Sequence, residues 1–157
     1  RRVLYEELIQ SIQGNGVAQQ ELFPQTVELS TSDYALIMSV SEELLKMGLD
    51  IRDFGNSTIV IQGIPTFSEN KNSKDLVLNL IELLKEEEKE LSQNLQHILA
   101  VSMASSMSIN AGKSLNEIEM QDLVNKLLSC TSPDICPEGK PTMTIIDITE
   151  MDKKFLK

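Results

Sequence analysis

Residues 49–63 read Leu-Asp-Ile-Arg-Asp-Phe-Gly-Asn-Ser-Thr-Ile-Val-Ile-Gln-Gly. The stretches 49–53 and 58–63 are short and rich in apolar and β-branched residues, which predicts two strands. The intervening Phe54-Gly55-Asn56-Ser57 has the composition of a hairpin turn, since glycine and asparagine accept the backbone angles that such turns need. We therefore predict a β-hairpin near the middle of the chain.

Helical patterns lie on both sides of this hairpin. Apolar residues recur at helical spacing, and helix start and stop signals flank the periodic stretches. Asn116 with Glu119 forms a capping-box pattern that opens one of these helices. The predicted helices cover residues 2–13, 31–47, 75–90, 94–111 and 116–128.

Three other stretches complete the expected elements. Residues 19–30 are predicted to be extended, because Pro24 excludes a helix there. Residues 142–148 are apolar on both faces and predict a buried strand, and residues 149–155 predict one or two helical turns. Strands and helices mix without a regular βαβ alternation, so the expected fold class is α+β.

Composition limits the functions that the chain can perform alone. The 157 residues suffice for one domain, or for a core domain with a small inserted lobe. Hydrophobic residues make up 41% of the chain, aromatic residues only 4%, and the net charge is −10. Because phosphate contacts dominate affinity for duplex DNA, such an acidic chain is expected to meet DNA only indirectly.

The cysteines and the lack of a long apolar run indicate a cytoplasmic protein. Cys130 and Cys136 are too few for a secreted, disulfide-dense scaffold, so free thiols are expected, with a disulfide between the two as the alternative. No apolar stretch is long enough to span a membrane, and no signal peptide is recognisable. The chain starts at Arg1 inside a predicted helix, which predicts that it is part of a longer protein.

The turn Cys136-Pro137-Glu138-Gly139 has the form of a metal-binding loop. Proline and glycine favour a tight turn, which lets the side chains at 136 and 138 point towards one ion. A histidine at 138 would give a zinc-type pair, but this chain has Glu138. An ordinary structural turn is the alternative.

Four segments in the same order resemble the C-terminal domain of the MutL family of DNA mismatch repair proteins. They lie at residues 2–6, 19–30, 108–120 and 136–155. Their sequences are RVLYE; QQELFP followed by TVELS; SINAG followed by Leu115 and Glu119-Met120; and CPEGKPT followed by MDKKF. Together they extend over essentially the whole chain.

The resemblance implies a homodimer with two subdomains. The dimerisation subdomain would comprise residues 1–16 and 104–157, and an inserted regulatory subdomain residues 17–103. The family's first dimer strands would precede Arg1. The implied role is to pair two chains in mismatch repair beside partners such as MutS. ATP and magnesium would belong to a separate N-terminal domain, with no cofactor in this one.

In the endonuclease branch of the family, a metal site is built from segments matching those above. Its ligand positions fall on Arg1, Ser105, Cys136 and Glu138, so only the Cys136 ligand is kept. The resemblance thus implies a non-catalytic domain with a degenerate metal site. The alternative is a metal-dependent nicking endonuclease that uses Cys136 and Glu138 as unusual ligands. An unrelated small α+β enzyme is a third possibility, with no catalytic constellation in its favour.

A second family motif matches Gln19, Leu22, Phe23 and Pro24. Such a Gln-x-x-Leu-x-Pro pattern implies docking on the replication sliding clamp. Gln19 offers a donor and an acceptor, Leu22 and Phe23 can fill an apolar cleft, and Pro24 fixes an extended exit. The alternative is that Leu22 and Phe23 simply begin a core strand.

Overall fold

The computed structural model describes residues 1–14, 18–68, 72–86 and 94–155. Its elements confirm the α+β class. In chain order they are α1 (Arg2–Gly14), β1 (Ala18–Glu28), α2 (Thr31–Ser39), α3 (Ser41–Lys46), β2 (Asp50–Gly55), β3 (Thr58–Pro65), α4 (Ser73–Glu86), α5 (Leu95–Met107), α6 (Glu117–Leu128) and α7 (Ile148–Phe155).

The predicted hairpin is the centre of the sheet. Strands β2 and β3 pair antiparallel, and β1 pairs antiparallel with the other side of β3, in the order β1-β3-β2. The hairpin turn contains Gly55, Asn56 and Ser57, all with positive φ. Asparagine and glycine tolerate this region well, which explains why the turn falls there.

One hydrophobic core joins the sheet to the helices. Alternate residues of β3 are buried, as expected for a strand with one face covered. Helix α4 buries the stripe Leu76, Leu80 and Leu84, and α5 contributes Leu99 and Met103. The buried apolar residues in the described part of the chain run from Leu8 to Met107.

Strand β1 carries an irregularity in its pairing with β3. Gln20 is opposite Gly63, but the next pair is Gln25 with Ile61, so residues 21–24 lie opposite Gln62 alone. Extra residues on one strand force it to bulge away from its partner. Gly63 permits the close pairing before the bulge, since an added Cβ would lie 3.0 Å from the Ala18 Cβ and 3.1 Å from the Gln19 carbonyl oxygen.

The predicted helix 31–47 is instead two helices separated at Val40. Val40 has φ −115° and ψ 7°, outside helical geometry. The hydroxyls of Ser39 and Ser41 donate to the carbonyls of Leu36 and Met38, at 2.7 and 2.8 Å. Such side-chain bonds to helix carbonyls favour a bend, and they flank a β-branched residue.

The predicted helix 75–90 begins earlier, at Ser73, and is described as far as Glu86. The remainder of that prediction lies outside the described residues. The predicted helix 94–111 ends at Met107, where Ser108 is extended and its hydroxyl donates to the Ser105 carbonyl at 2.8 Å.

Residues 108–155, here called the C-terminal segment, differ from the rest of the chain because none of them is buried. Helix α6 has the predicted capping box of Asn116 and Glu119. The buried strand predicted at 142–148 is wrong: residues 143–147 have no regular secondary structure, and Ile145 is 92% exposed. An apolar run becomes a buried strand only where a neighbouring strand or layer covers it.

The helices can also be judged as candidate membrane spans. Among the residues that the structure describes, no helix combines the length and apolar character that a crossing requires.

Candidate functional site

The four positions of the suspected metal site lie in one neighbourhood, at the point where the C-terminal segment meets α1 and α5. The Arg1 guanidinium forms an ion pair with the Glu138 carboxylate. The Ser105 hydroxyl makes a long contact with the same carboxylate, at 3.5 Å, and the Lys140 ammonium lies 3.1 Å from its other oxygen. The Cys136 sulfur accepts from the Lys140 backbone amide at 3.2 Å.

A compact turn positions Cys136 and Glu138. The Cys136 amide donates to the Lys140 carbonyl at 2.7 Å, and the Gly139 amide donates to the Cys136 carbonyl at 2.9 Å. Gly139 has φ +81°, a conformation that other residues adopt only with strain. Ile135 pairs with Pro141 as an isolated bridge that closes the turn.

Electrostatics at Glu138 are governed by its two cations. The hydrogen bond from Lys140 lowers the pKa of Glu138; partial burial opposes this effect, and the Arg1 charge adds to the lowering. The carboxylate is therefore ionised and paired. No group of three or more histidine, cysteine, aspartate or glutamate side chains within the described ranges is arranged to hold a metal ion.

A second carboxylate, Glu6, anchors the C-terminal segment further along α1. It accepts the backbone amides of Thr131 and Ser132, at 2.8 and 3.3 Å. Arg2 Nε lies 2.9 Å from the same carboxylate without the alignment of a hydrogen bond, so this contact is an ion pair. The two side chains are only 12% and 15% exposed. Burial raises the pKa of Glu6, but the amide hydrogen bonds and Arg2 outweigh it, so the net shift is downwards.

Helix α1 is in turn fixed to α5. The Tyr5 hydroxyl lies 2.9 Å from His97 Nδ1, and the two rings meet edge to face. Arg2 stacks over the Tyr5 ring at 5.6 Å, a cation–π distance. His97 is the single histidine of the chain. This contact gives it a packing role between two helices.

The clamp-motif residues lie on β1 at its bulge. Gln19 pairs with Ile64 just before the bulge, while Leu22, Phe23 and Pro24 fall within it. Leu22 is 84% exposed and Phe23 is 79% exposed. The alternative, in which these two residues begin a core strand, is wrong, because the bulge turns both side chains out to solvent.

The C-terminal segment exposes apolar stripes that sequence reasoning missed. Met120, Leu123, Val124 and Leu128 lie at helical spacing on α6, and all four are exposed. Helix α7 shows the same pattern with Ile148, Met151 and Phe155. The amphipathic spacing was visible in the sequence, but a periodic stripe does not reveal whether anything covers it.

Comparison with known proteins assigns the chain to a family. Residues 1–115 match the family model described as the MutL C terminal dimerisation domain. That match covers most of the chain, and the chain therefore belongs to this family.

Curated relatives agree over nearly the whole chain. The chain is 33% identical over 155 residues to "DNA mismatch repair protein MutL" of Bacteroides fragilis (strain YCH46), covering 98% of this chain and 25% of that protein. It is 31% identical over 156 residues to the protein of the same name from Prosthecochloris aestuarii (strain DSM 271 / SK 413), with the same coverage. The chain thus spans about a quarter of the length of these relatives.

Proposed function

We propose that this chain pairs two copies of a bacterial MutL-type protein for DNA mismatch repair, and that it recruits partners without cutting DNA itself. The observation that carries the proposal is the pair of exposed apolar stripes on α6 and α7, in a chain that belongs to a dimerisation-domain family. A protein working beside bacterial DNA is expected in the cytoplasm. In the full-length protein, MutS would be one of its partners.

The proposed dimer surface consists of Met120, Leu123, Val124 and Leu128 on α6 with Ile148, Met151 and Phe155 on α7. Monomeric proteins rarely leave large apolar patches open to water. Interfaces of stable homodimers are more apolar than other surfaces, which suits stripes of leucine, isoleucine and methionine. The occupant we propose is the same surface of a second copy, as a two-fold dimer requires.

Sedimentation equilibrium at micromolar concentration tests the dimer surface. We expect two chains per particle for the unaltered protein and a monomer for Leu128→Asp, because the substitution places a charge in a desolvated interface. Leu22→Asp is the matched control, since Leu22 is also exposed but lies on the β1 bulge. A Leu128→Asp protein that remains dimeric would refute this surface.

The proposed partner site comprises Gln19, Leu22, Phe23 and Pro24, which would dock on the sliding clamp. The support is the outward bulge, which frees Leu22 and Phe23 to enter an apolar cleft on another protein. Few anchors are available, so the contact is expected to be weak.

Clamp binding is tested by surface immobilisation of the clamp and titration with the dimeric protein. Two variants should lose clamp binding: the double variant Gln19→Ala, Pro24→Ala and the single variant Leu22→Asp. Leu128→Asp, which is expected to be a monomer, should still bind the clamp. Unchanged binding in the first two variants would exclude the motif. The dimer and clamp variants thereby act as controls for each other.

The non-catalytic part of the proposal is supported by the surroundings of Glu138. Arg1 and Lys140 already neutralise this carboxylate, and Ser105 offers only a neutral hydroxyl. Divalent metals in nuclease sites need several anionic or imidazole ligands, so the residues present fit a metal ion poorly. The Arg1 guanidinium supplies positive charge where a cation would otherwise lie.

Nicking of supercoiled plasmid with manganese or zinc tests this part. The verified dimer is expected to nick the plasmid no more than a Cys136→Ala variant does. Nicking that disappears in Cys136→Ala would instead support the alternative, an endonuclease that uses Cys136 and Glu138 as ligands.

A further inference from the structure

Polar contacts join the C-terminal segment to α1 and to Arg1. None of its described residues is buried, so it contributes no residue to the hydrophobic core. Two of these contacts involve carboxylates: Glu6 of α1 with the Thr131 and Ser132 amides, and Glu138 with Arg1, the residue before α1. They fix the turn formed by residues 131–141 at its start, Thr131, and near its end, Glu138.

This turn lies between the two helices that carry the apolar stripes. Helix α6 ends at Leu128, three residues before the Glu6 anchor at Thr131, and α7 begins at Ile148, after the turn has closed. The turn has its own backbone hydrogen bonds and the Ile135–Pro141 bridge. Because the turn begins three residues after the end of α6, contacts that hold the turn in place also limit the direction in which α6 approaches it.

We propose that Arg1 and Glu6 are positioning residues for dimerisation. They hold this turn against α1 and so fix how α6 presents its apolar stripe to a second copy. Neither residue belongs to the proposed dimer surface. The inference rests on the proposed function, because it assumes that the stripes pair two chains.

The Glu6 anchor is the stronger of the two. Its side chain is largely shielded from water, it accepts two amides, and it pairs with Arg2. Removing one member of a shielded charged group leaves the other members without their partner, which is costly. The Arg1–Glu138 pair is more open to solvent and should contribute less.

The test measures the dimer dissociation constant by sedimentation for Glu6→Gln, Arg1→Ala, Glu138→Ala and the Arg1→Ala, Glu138→Ala double variant. Urea unfolding of the core is followed in parallel. Glu6→Gln is expected to weaken the dimer by about tenfold or more, equivalent to about 1.4 kcal/mol. The dimer of the double variant should be no weaker than the weaker dimer of the two single variants, because the two side chains act as one ion pair. Glu42→Gln is the control, since Glu42 is an exposed residue of α3. It should alter neither the dimer dissociation constant nor the urea stability.

Several results would overturn the inference. One is an unchanged dissociation constant in Glu6→Gln while Leu128→Asp is monomeric; this leaves the proposed dimer surface intact and removes only the positioning role. Additive effects of Arg1→Ala and Glu138→Ala would remove the role of that ion pair. A drop in urea stability that accounts for the whole loss of dimer would assign Glu6 to folding alone. If Leu128→Asp is also still dimeric, both the dimer surface and the positioning role fail.

Discussion

The part of the chain up to Met107 and the C-terminal segment have similar helical patterns but opposite surroundings. In α4, the stripe of Leu76, Leu80 and Leu84 is buried against the sheet and α5. In α6, the stripe of Leu123, Val124 and Leu128 faces solvent. Amphipathic spacing thus specifies a helix with an apolar face, whereas the neighbouring elements decide whether that face becomes core or remains exposed.

The largest expected effect follows from exchanging one leucine for alanine in each region. Leu99→Ala removes a fully buried side chain and leaves a cavity, so the free energy of unfolding should fall by about 2–5 kcal/mol. Leu128→Ala, as the exposed counterpart, should change monomer stability by no more than about 0.5 kcal/mol while weakening the dimer. Urea unfolding at protein concentrations below the dimer dissociation constant measures the monomer stability of both variants. Equal losses of monomer stability would show that the C-terminal segment shares the core.

A smaller effect is expected at the turn that carries Cys136 and Glu138. Gly139→Ala places a side chain at φ +81°, which should cost about 1–2 kcal/mol of local stability. Hydrogen exchange of the Gly139 and Lys140 amides reports this loss directly. Gly14→Ala is the matched control, since an added Cβ there meets no atom within 4 Å. Equal protection in both variants would count against a strained turn.

The capping box of α6 should contribute about 1 kcal/mol. Asn116→Ala removes the side-chain acceptor for the Glu119 amide, at 2.9 Å, and leaves only the reciprocal bond from the backbone amide of residue 116 to the Glu119 carboxylate. Because α6 adds nothing to the core, we expect faster exchange within this helix but unchanged global unfolding. A change in the global transition of similar size would mean that α6 and the core unfold together.

Acid should weaken the attachment of the C-terminal segment before it affects the core. Glu6 and Glu138 both have pKa values lowered by their partners in the folded state. A lowered folded-state pKa contributes stability that is fully present above the unfolded value, about 4.3 for glutamate. That contribution is lost as pH falls through the folded-state pKa.

Limited proteolysis between pH 6 and pH 3 measures this effect. Cleavage within residues 108–155 should rise on acidification, and it should rise less steeply in a Glu6→Gln, Glu138→Gln variant, which has no carboxylates left to protonate at these positions. An identical pH profile in that variant would assign the effect to other groups.

Local sequence features predicted much of the fold. The hairpin at 49–63, the capping box of Asn116, and the glycine turn at Gly139 all follow from residues that are close together in the chain. Errors occurred where distant contacts decide. The apolar run 142–148 has strand character, but no described neighbour covers it. The helix predicted across Val40 breaks where the serines on either side of Val40 donate to carbonyls of α2.

The candidate sites divide in the same way. Motif spacing located Gln19, Leu22, Phe23 and Pro24, and the family resemblance located Arg1, Ser105, Cys136 and Glu138. The spacing did not reveal the bulge that exposes Leu22 and Phe23, because a bulge depends on the register with β3. Glu6 escaped notice altogether, since its partners Thr131 and Ser132 lie more than a hundred residues away.

Periodicity, turn chemistry and motifs within short stretches of chain were enough to predict most of the helices, the hairpin and the family. The pairing of Arg1 with Glu138, the contact of Glu6 with the turn at Thr131, and the uncovered stripes of α6 and α7 became known only from the three-dimensional fold. Side-chain burial and ion pairing depend on which distant surfaces meet, and no local pattern encodes that meeting.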